Sequence, residues 1–216
     1  MRSASTRFRG ASATCDSPRM LGGTVRGTGV TLRTTTESDL TDHTRWHADA
    51  DSTTWLPHRP QPHSLEQRKE WLKETAKDRG LIHWELEADG AHAGYCAARL
   101  MWPPMADAWL VDTFFIAPEL RRRGLGGDAA RALHRYLVDY LGLDFGDVWL
   151  YRSDTAGRRL AERLGYVEYG HGRDVFYHHG RYWDDWRGIL RAEEFRKRFP
   201  SELEYPAGPA GVRQAV

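Results

Sequence analysis

Apolar positions recur with a period of two in some segments and about 3.6 in others, which predicts a mixture of strands and helices. Between residues 82 and 88 apolar and polar side chains alternate, and Asp89-Gly90 then forms a hairpin turn. Thr36 and Ser64 each have a side chain three residues later that can complete a capping box, so two helices are predicted to start there. The predicted order is β-α-α-β-β-β-α-β-α-β-β, with strands at 30–33, 82–88, 91–101, 110–116, 148–151, 167–177 and 182–190.

The most informative stretch runs from Leu110 to Leu141. An apolar strand, 110–116, is stopped by Pro118 and followed by Arg121-Arg122-Arg123-Gly124-Leu125-Gly126-Gly127, and helical spacing then continues to Leu141. The glycines therefore lie at a helix N-terminus, where unpaired N–H groups and the helix dipole favour an anion. Bare glycines and three arginines predict a phosphate or pyrophosphate site.

Two kinds of nucleotide-binding motif could explain this glycine turn. Residues 124–129 match the dinucleotide fingerprint G-x-G-x-x-A, but that motif follows its strand directly, whereas seven residues separate Ile116 from Gly124. The acid expected about 20 residues later would be Asp144, which precedes its strand instead of ending it. The pattern Arg121-x-x-Gly124-x-Gly126 after Ile116-Ala117-Pro118 instead resembles the acyl-coenzyme A signature of the GNAT superfamily of N-acetyltransferases.

The resemblance extends from about Val30 to Phe195. Residues 154–166 are similar to the second signature of the family, in which an Asn begins a helix and Leu-Gly-Phe ends it. Residues 180–184 and 190–195 resemble the closing hairpin and tail of the ribosomal-protein-alanine acetyltransferase-like branch. The resemblance implies one α/β (α+β) domain, with a mixed, mostly antiparallel central sheet flanked by helices.

The resemblance also implies acetyl transfer from acetyl-coenzyme A (acetyl-CoA) to an amine, without a metal and without a covalent enzyme intermediate. Central strand residues 114–116 would splay from 149–151 and pair with pantetheine, and the N–H of Ile116 would polarise the thioester carbonyl. The expected coenzyme A contacts are Phe114, Phe115, Ile116, Arg121, Arg122, Arg123, Gly124, Leu125, Gly126, Gly127 and Asp154.

An alkylamine is mostly protonated at pH 7, so its proton must be accepted before or during attack. Asp112 is the first candidate base, because it shares a strand face with Phe114 and Ile116 and because an acid within an apolar strand is costly unless it has a partner. A strand-end Asp satisfied by the backbone or a neighbouring Arg explains it equally well. His83, Glu85 and Glu87 are alternatives through water, but a solvated strand face is the favoured interpretation of these three.

Two positions depart from the family pattern. The Tyr that many relatives use as an acid is replaced by Ala161, which leaves Ser153, Tyr151 or solvent to protonate the thiolate. Asp154 replaces the Asn that begins the second signature helix, and its charge would repel phosphate unless it serves only as a cap.

The acceptor region implied by the resemblance lies among the first two helices, their loop and the last hairpin. It combines acidic residues with tryptophans, which suits a cationic amine. A peptide N-terminus is the alternative acceptor, because arginines and histidines dilute the negative charge. The expected substrate contacts are Trp46, Trp55, His83, Glu85 and Asp184.

Composition sets the remaining expectations. A net charge of +1 gives no case for nucleic acid, and no apolar run approaches the ~20 residues of a membrane span. Two cysteines form no disulfide framework, so a reducing cytoplasm is expected. Residues 1–28 are expected to form a disordered leader, 29–200 the domain and 201–216 a flexible tail, in a monomer or homodimer.

The sequence therefore predicts an N-acetyltransferase that uses acetyl-CoA and acts on a small cationic amine or a peptide N-terminus. A catalytically silent acyl-coenzyme A-binding module is the alternative, because the family's Tyr and Asn are both replaced.

Overall fold

The structure is a computed structural model that describes residues 23–56, 63–101 and 107–200. Its strands are β1 (Val25–Arg26), β2 (Thr31–Arg33), β3 (Leu81–Ala88), β4 (Ala91–Met101), β5 (Ala108–Ile116), β6 (Phe145–Tyr151), β7 (Val167–Gly170), β8 (Phe176–His178), β9 (Arg181–Trp183) and β10 (Asp185–Arg191). Its α-helices are α1 (Leu40–Ala48), α2 (Leu65–Thr75), α3 (Leu125–Arg135), α4 (Thr155–Leu164) and α5 (Ala192–Arg198). The predicted turn at 102–106, the tail 201–216 and most of the leader lie outside the described residues.

Eight strands form one sheet in the order β1-β2-β3-β4-β5-β6-β10-β7. Every neighbouring pair is antiparallel except β5 and β6, which run parallel. The predicted α/β class, mostly antiparallel sheet and element order are confirmed. Strand β1 lies inside the predicted leader 1–28, so the ordered sheet begins earlier than expected.

The sheet has a different core on each face. The larger cluster joins it to α3, α4 and α5 through residues such as Leu133, Leu164 and Phe195. A smaller cluster on the other face is built from Trp46, Leu56, Tyr95, Phe115 and Ala117. The second cluster places α1 over the ends of β4 and β5.

Local sequence signals explain most helix ends. Both capping boxes form: Ser64 with Gln67 starts α2, and Thr36 with Asp39 starts a 3₁₀ turn, Glu37–Asp39, which leads into α1. The third helix differs from the prediction, since α3 ends at Arg135 and a π-helix, Tyr136–Tyr140, follows it.

The predicted last hairpin, 167–177 with 182–190, divides into two parts. Its outer strands β7 and β10 pair within the main sheet, whereas β8 and β9 form a separate two-stranded ribbon. His179 and Gly180 both have positive φ at the ribbon's turn, as a two-residue hairpin loop requires.

His134 on α3 is buried in the larger core with both ring nitrogens bonded. Nδ1 must donate to the carbonyl of Ala130 at 2.7 Å, so Nε2 accepts from the hydroxyl of Tyr166 at 2.8 Å. Burial lowers the pKa of His134 to about 4, because the charged ring would lose its hydration. The folded protein therefore holds this ring neutral.

We expect His134 to make stability fall as the pH is lowered. The unfolded ring binds a proton near pH 6.5 and the folded ring near 4, so the unfolded state gains protons first in that window. At about 1.4 kcal/mol per pKa unit, the loss approaches ~3 kcal/mol. Urea unfolding of wild type and His134→Gln at several pH values tests this, with a flatter dependence expected for the variant; parallel curves would contradict it. His92, whose pKa shifts upward, is present in both proteins, so its effect cancels.

Candidate active site

Strands β5 and β6 separate beyond their first three residues. Their parallel register joins Ala108–Leu110 to 145–147, and no pair between the described residues of the two strands follows. Residues 114–116 and 149–151 therefore face each other across an opening, as the sequence prediction requires. The opening exposes one backbone edge of β5 to a ligand.

The N–H of Ile116 points into that opening. The neighbouring N–H of Ala117 donates to Ala93 at 2.9 Å, on the β4 side, and alternate residues of a strand direct their backbone groups to opposite sides. The carbonyl of Ile116 accordingly accepts from Arg121 Nε, at 2.9 Å, on the side away from β4. The geometry therefore suits the predicted role of Ile116.

The glycine turn leads from β5 to an open helix N-terminus. Gly124 caps α3 in the left-handed region, with φ +83°, and among the described residues a methyl group at Gly124 or Gly127 would have no neighbour within 4 Å. The N–H of Gly127 already donates to the carbonyl of Gly124 at 3.1 Å. The amides of Leu125 and Gly126, ahead of it, are the ones that the helix leaves for an anion.

The three arginines of the turn differ in their contacts. Arg121 bonds the carbonyls of Ile116 and Ser52 and lies over the ring of Phe115, so it fastens the end of β5 to the segment after α1. Arg123 donates to the carbonyl of Glu119 at 3.3 Å. Arg122, with φ +63°, is exposed and has no hydrogen bond or ion pair among the described residues. Arg122 is therefore the freest of the three to bind phosphate.

Two acidic residues lie at helix starts: Asp128 in the first turn of α3 and Asp154 at the N-cap of α4. Asp128 accepts from the N–H groups of Thr28, Gly29 and Val30, which tie the start of the sheet to α3. Asp154 caps α4 by accepting from the N–H of Gly157 at 2.9 Å, and burial raises its pKa. These contacts fit a helix cap, the second of the two roles considered for Asp154.

Asp112 lies in a β-bulge. Thr113 pairs with Ala97 and Val111 with Ala98, so Asp112 has no partner across the ladder. The extra residue turns its side chain away from the face of Phe114 and Ile116, and its carboxylate lies 3.7 Å from Arg99 Nε. The inference that Asp112 shares a face with Phe114 and Ile116 was wrong, because alternation fails at a bulge. Its contacts fit an aspartate paired with a neighbouring arginine.

Ser153 and Tyr151 lie at the end of β6. The hydroxyl of Ser153 is buried without a hydrogen-bond partner among the described residues. The ring of Tyr151 stacks on Phe176 at 4.2 Å and meets the edge of Trp55 at 5.7 Å, and burial raises the pKa of its phenol. Tyr151 ends β6, which borders the opening, and Ser153 follows it by two residues. Ala161, in the place of the family Tyr, is buried in the core.

The predicted substrate residues separate into two groups. Trp55, 45% exposed, and Asp184 lie near the end of β6 and the hairpin, where Asp184 accepts from the N–H of Asp174. Trp46, His83 and Glu85 lie on the α1 side of the sheet, where Trp46 is part of the smaller core. The structure does not bring all five together.

Glu85 is fully buried, which corrects the expectation that it lies on a solvated face. It accepts from Thr35 at 2.7 Å, from His43 at 2.9 Å and from His92 at 2.8 Å. Burial alone would raise the pKa of Glu85, but the hydrogen bonds from His43 and His92 outweigh it and hold the pKa well below its usual range. The carboxylate is therefore ionised and fully satisfied.

The same contacts fix the proton positions on two histidines. Both nitrogens of His92 contact carboxylates, Glu85 at 2.8 Å and Asp42 at 2.9 Å, so both donate; burial opposes its charge, yet these bonds raise its pKa. Thr35 gives its hydrogen to Glu85, so its oxygen accepts from Nδ1 of His83 at 3.0 Å. Nε2 of His83 is left with a free lone pair.

Three of these groups are close enough to bind a metal ion. One ligand atom each from His43, Glu85 and His92 lies within 4.8 Å of the others. The same atoms already bond to one another at 2.8 and 2.9 Å, so hydrogen bonding accounts for the cluster. The expectation of a metal-free reaction stays a prediction.

The acids of the predicted acceptor region are only partly engaged. Asp39 pairs with Arg33 at 2.7 Å, Asp42 with Arg45 at 3.0 Å, and Asp185 with Arg187 at 2.8 Å. Part of the acidic character that suggested a cationic acceptor therefore remains, because four acids form no ion pair among the described residues: Glu37, Asp49, Asp51 and Asp184.

The chain is similar to known proteins in its sequence profile and in its fold. A family profile described as "Acetyltransferase (GNAT) domain" matches residues 30–167. The fold is similar to spermidine N-acetyltransferase from Vibrio cholerae, solved with CoA and spermine, at TM-score 0.70 and 19% identity over 77% of this chain and 98% of that one.

Two further solved structures have a similar fold. One is a GCN5-related N-acetyltransferase from Brucella melitensis, at TM-score 0.65 and 20% identity over 80% of each chain. The other is a GNAT-family acetyltransferase from Bacillus anthracis, at TM-score 0.66 and 14% identity over 80% of this chain and 100% of that one. No curated protein matches the sequence. Among the described residues, no helix has the length and apolar character needed to span a membrane.

Proposed function

The chain belongs to the GNAT acetyltransferase family and is an acyl-coenzyme A-dependent N-acyltransferase, and we propose that it acetylates a primary amine by direct attack in a ternary complex. The observation that carries this proposal is the opening between β5 and β6 beside the bare N-terminus of α3. The family name alone leaves the acceptor and the catalytic residues open. The ribosomal-protein-alanine branch and the cytoplasmic location stay predictions.

In this proposal the amides of Leu125 and Gly126, with Arg122, bind the pyrophosphate of acetyl-CoA. The pantetheine lies along the free edge of β5 from Phe114 to Ile116. The N–H of Ile116 then donates to the thioester oxygen, where negative charge develops as the amine attacks. Ser153 or Tyr151 returns a proton to the departing thiolate.

We place the proton acceptor at Nε2 of His83 in preference to Asp112. The ring of His83 stacks on Tyr95 at 5.6 Å, and Tyr95 stacks at 5.1 Å on Phe115, which precedes Ile116 in the chain. The ring is neutral, and Glu85 through Thr35 holds the proton on Nδ1, so Nε2 can accept through a water molecule. Asp112, held by Arg99, lacks a comparable arrangement.

The acceptor proposed from the sequence is a small cationic amine or a peptide N-terminus. The structural neighbour named for spermidine supports an amine in general, because polyamines carry primary amines.

Calorimetry with acetyl-CoA and with NADPH tests the cofactor. We expect saturable binding of acetyl-CoA and no binding of NADPH. Thiol release in the presence of an amine panel, with mass spectrometry of the products, then tests transfer. Binding of acetyl-CoA without acetylated product from any amine would favour the silent module, whereas NADPH binding alone would overturn the proposal.

A further inference from the structure

Arg68 on α2 is buried without a partner for its charge. It is 7% exposed, and its Nε and one terminal nitrogen, Nη2, have neither solvent nor a hydrogen-bond partner among the described residues. No carboxylate of the described residues forms an ion pair or hydrogen bond with Arg68.

Such an arrangement is costly unless something else binds there. A buried guanidinium that lacks hydrogen bonds loses its hydration without compensation. Nε and Nη2 form one edge of the guanidinium, and their parallel N–H groups match the two oxygens of a carboxylate. Trp71, whose ring centre lies 5.6 Å from the guanidinium carbon, holds the group in place. The unpaired edge is thus built for a planar anion.

The surroundings of Arg68 belong to the same face as the proposed proton acceptor. Trp71 meets the edge of His83 at 5.0 Å, and His83 continues through Tyr95 to Phe115. The positive charge of Arg68 acts on His63, His83 and Tyr95, none of which is a carboxylic acid. Glu85 and Asp39, the acids whose charges act on His83, already have partners, so a cationic substrate gains little from them.

We propose that Arg68 binds a carboxylate of the acceptor, so that the substrate is an amino carboxylic acid whose amine lies near Ile116 and whose acid lies under α2. This inference rests on the proposed acetyl transfer and specifies its substrate. The row of rings between Arg68 and Phe115 sets the separation of the two substrate groups, which an acceptor series of increasing length can measure.

The test compares each acceptor with its own neutral analogue. Acetyl-CoA turnover is measured with α-, β-, γ- and longer ω-amino acids and with the matching carboxamides. For the best acid, wild type is expected to favour it over its amide by at least about 100-fold in kcat/KM, because a site built for a polar group rejects an analogue that leaves its donors unpaired. Arg68→Gln is expected to reduce this ratio to near one.

Controls separate this inference from the proposed function. Arg79→Gln, an exposed arginine just beyond α2, should keep the wild-type ratio, and every variant should bind acetyl-CoA with unchanged affinity. Equal use of acid and amide by wild type, or an acid preference that survives in Arg68→Gln, would overturn the role of Arg68. Loss of acetyl-CoA binding by wild type would instead overturn the proposed transfer.

Two further measurements keep the result decisive. If Arg68→Gln does not fold, as judged by circular dichroism, the wild-type comparison of acid with amide decides alone. If no acceptor turns over, the shift in melting temperature of the enzyme with coenzyme A is measured for each acid and amide. A shift given by acids only supports the carboxylate site, and equal or absent shifts contradict it.

Discussion

Replacing Gly126 with glutamate is expected to abolish coenzyme A binding in a protein that still folds. Position 126 is in the first turn of α3, where the helix directs unpaired N–H groups and partial positive charge outward. A carboxylate there would occupy the proposed pyrophosphate site and repel the ligand. We expect the dissociation constant for acetyl-CoA, measured by calorimetry, to rise by at least about 100-fold, which corresponds to about 2.7 kcal/mol.

Two matched variants isolate the charge from the added volume. A Cβ at Gly126 would make ordinary contacts, 3.7 Å from Ile116 and 3.9 Å from Phe114, so Gly126→Ala should fold and bind acetyl-CoA nearly as wild type does. Gly126→Gln has the shape of glutamate without its charge and should bind better than Gly126→Glu. Wild-type affinity in Gly126→Glu would place the phosphates elsewhere.

The element order could be predicted from sequence because its signals are local. Capping boxes at Thr36 and Ser64 act within four residues, and the turn at Asp89-Gly90 depends on two positive φ values, which the structure shows. The bulge at Asp112 had only one sequence signal, an acid within an apolar strand. A bulge depends on how two strands align, and alternation within a single strand does not reveal that alignment.

The coenzyme A surface was predictable for the same local reason, since one continuous stretch supplies both the strand edge and the helix N-terminus. The acceptor face could not be predicted in this way, because its residues come from distant parts of the chain. Glu85 meets Thr35 from 50 positions away and His43 from 42, so its burial arises only when β3, β4 and α1 pack together. Arg68 stands among the charged residues of α2 and resembles a solvent-facing residue. Its spacing of three from Trp71 was the available signal that it lies on the inner face.

Replacing His83 with glutamine is expected to lower kcat by about 100-fold or more while leaving acetyl-CoA affinity unchanged, because a general base typically contributes that much. Burial lowers the pKa of His83 to about 4, and the charge of Arg68 adds to this, so the ring is neutral throughout the neutral pH range. Wild-type kcat should therefore fall only when the pH approaches this value. Steady-state kinetics from about pH 4 to 9 with the best amine measures the effect.

Three variants decide between His83 and its alternatives. His171→Gln, at an exposed position, should behave as wild type. Thr35→Val should lower kcat less than His83→Gln, because it removes only the group that holds the proton on Nδ1, and Thr35→Ser should restore it. Asp112→Asn is expected to leave kcat nearly unchanged, since the carboxylate faces Arg99. If Asp112→Asn lowers kcat and His83→Gln does not, the proton passes to Asp112, and the row of rings from Phe115 to His83 serves only to shape the acceptor site.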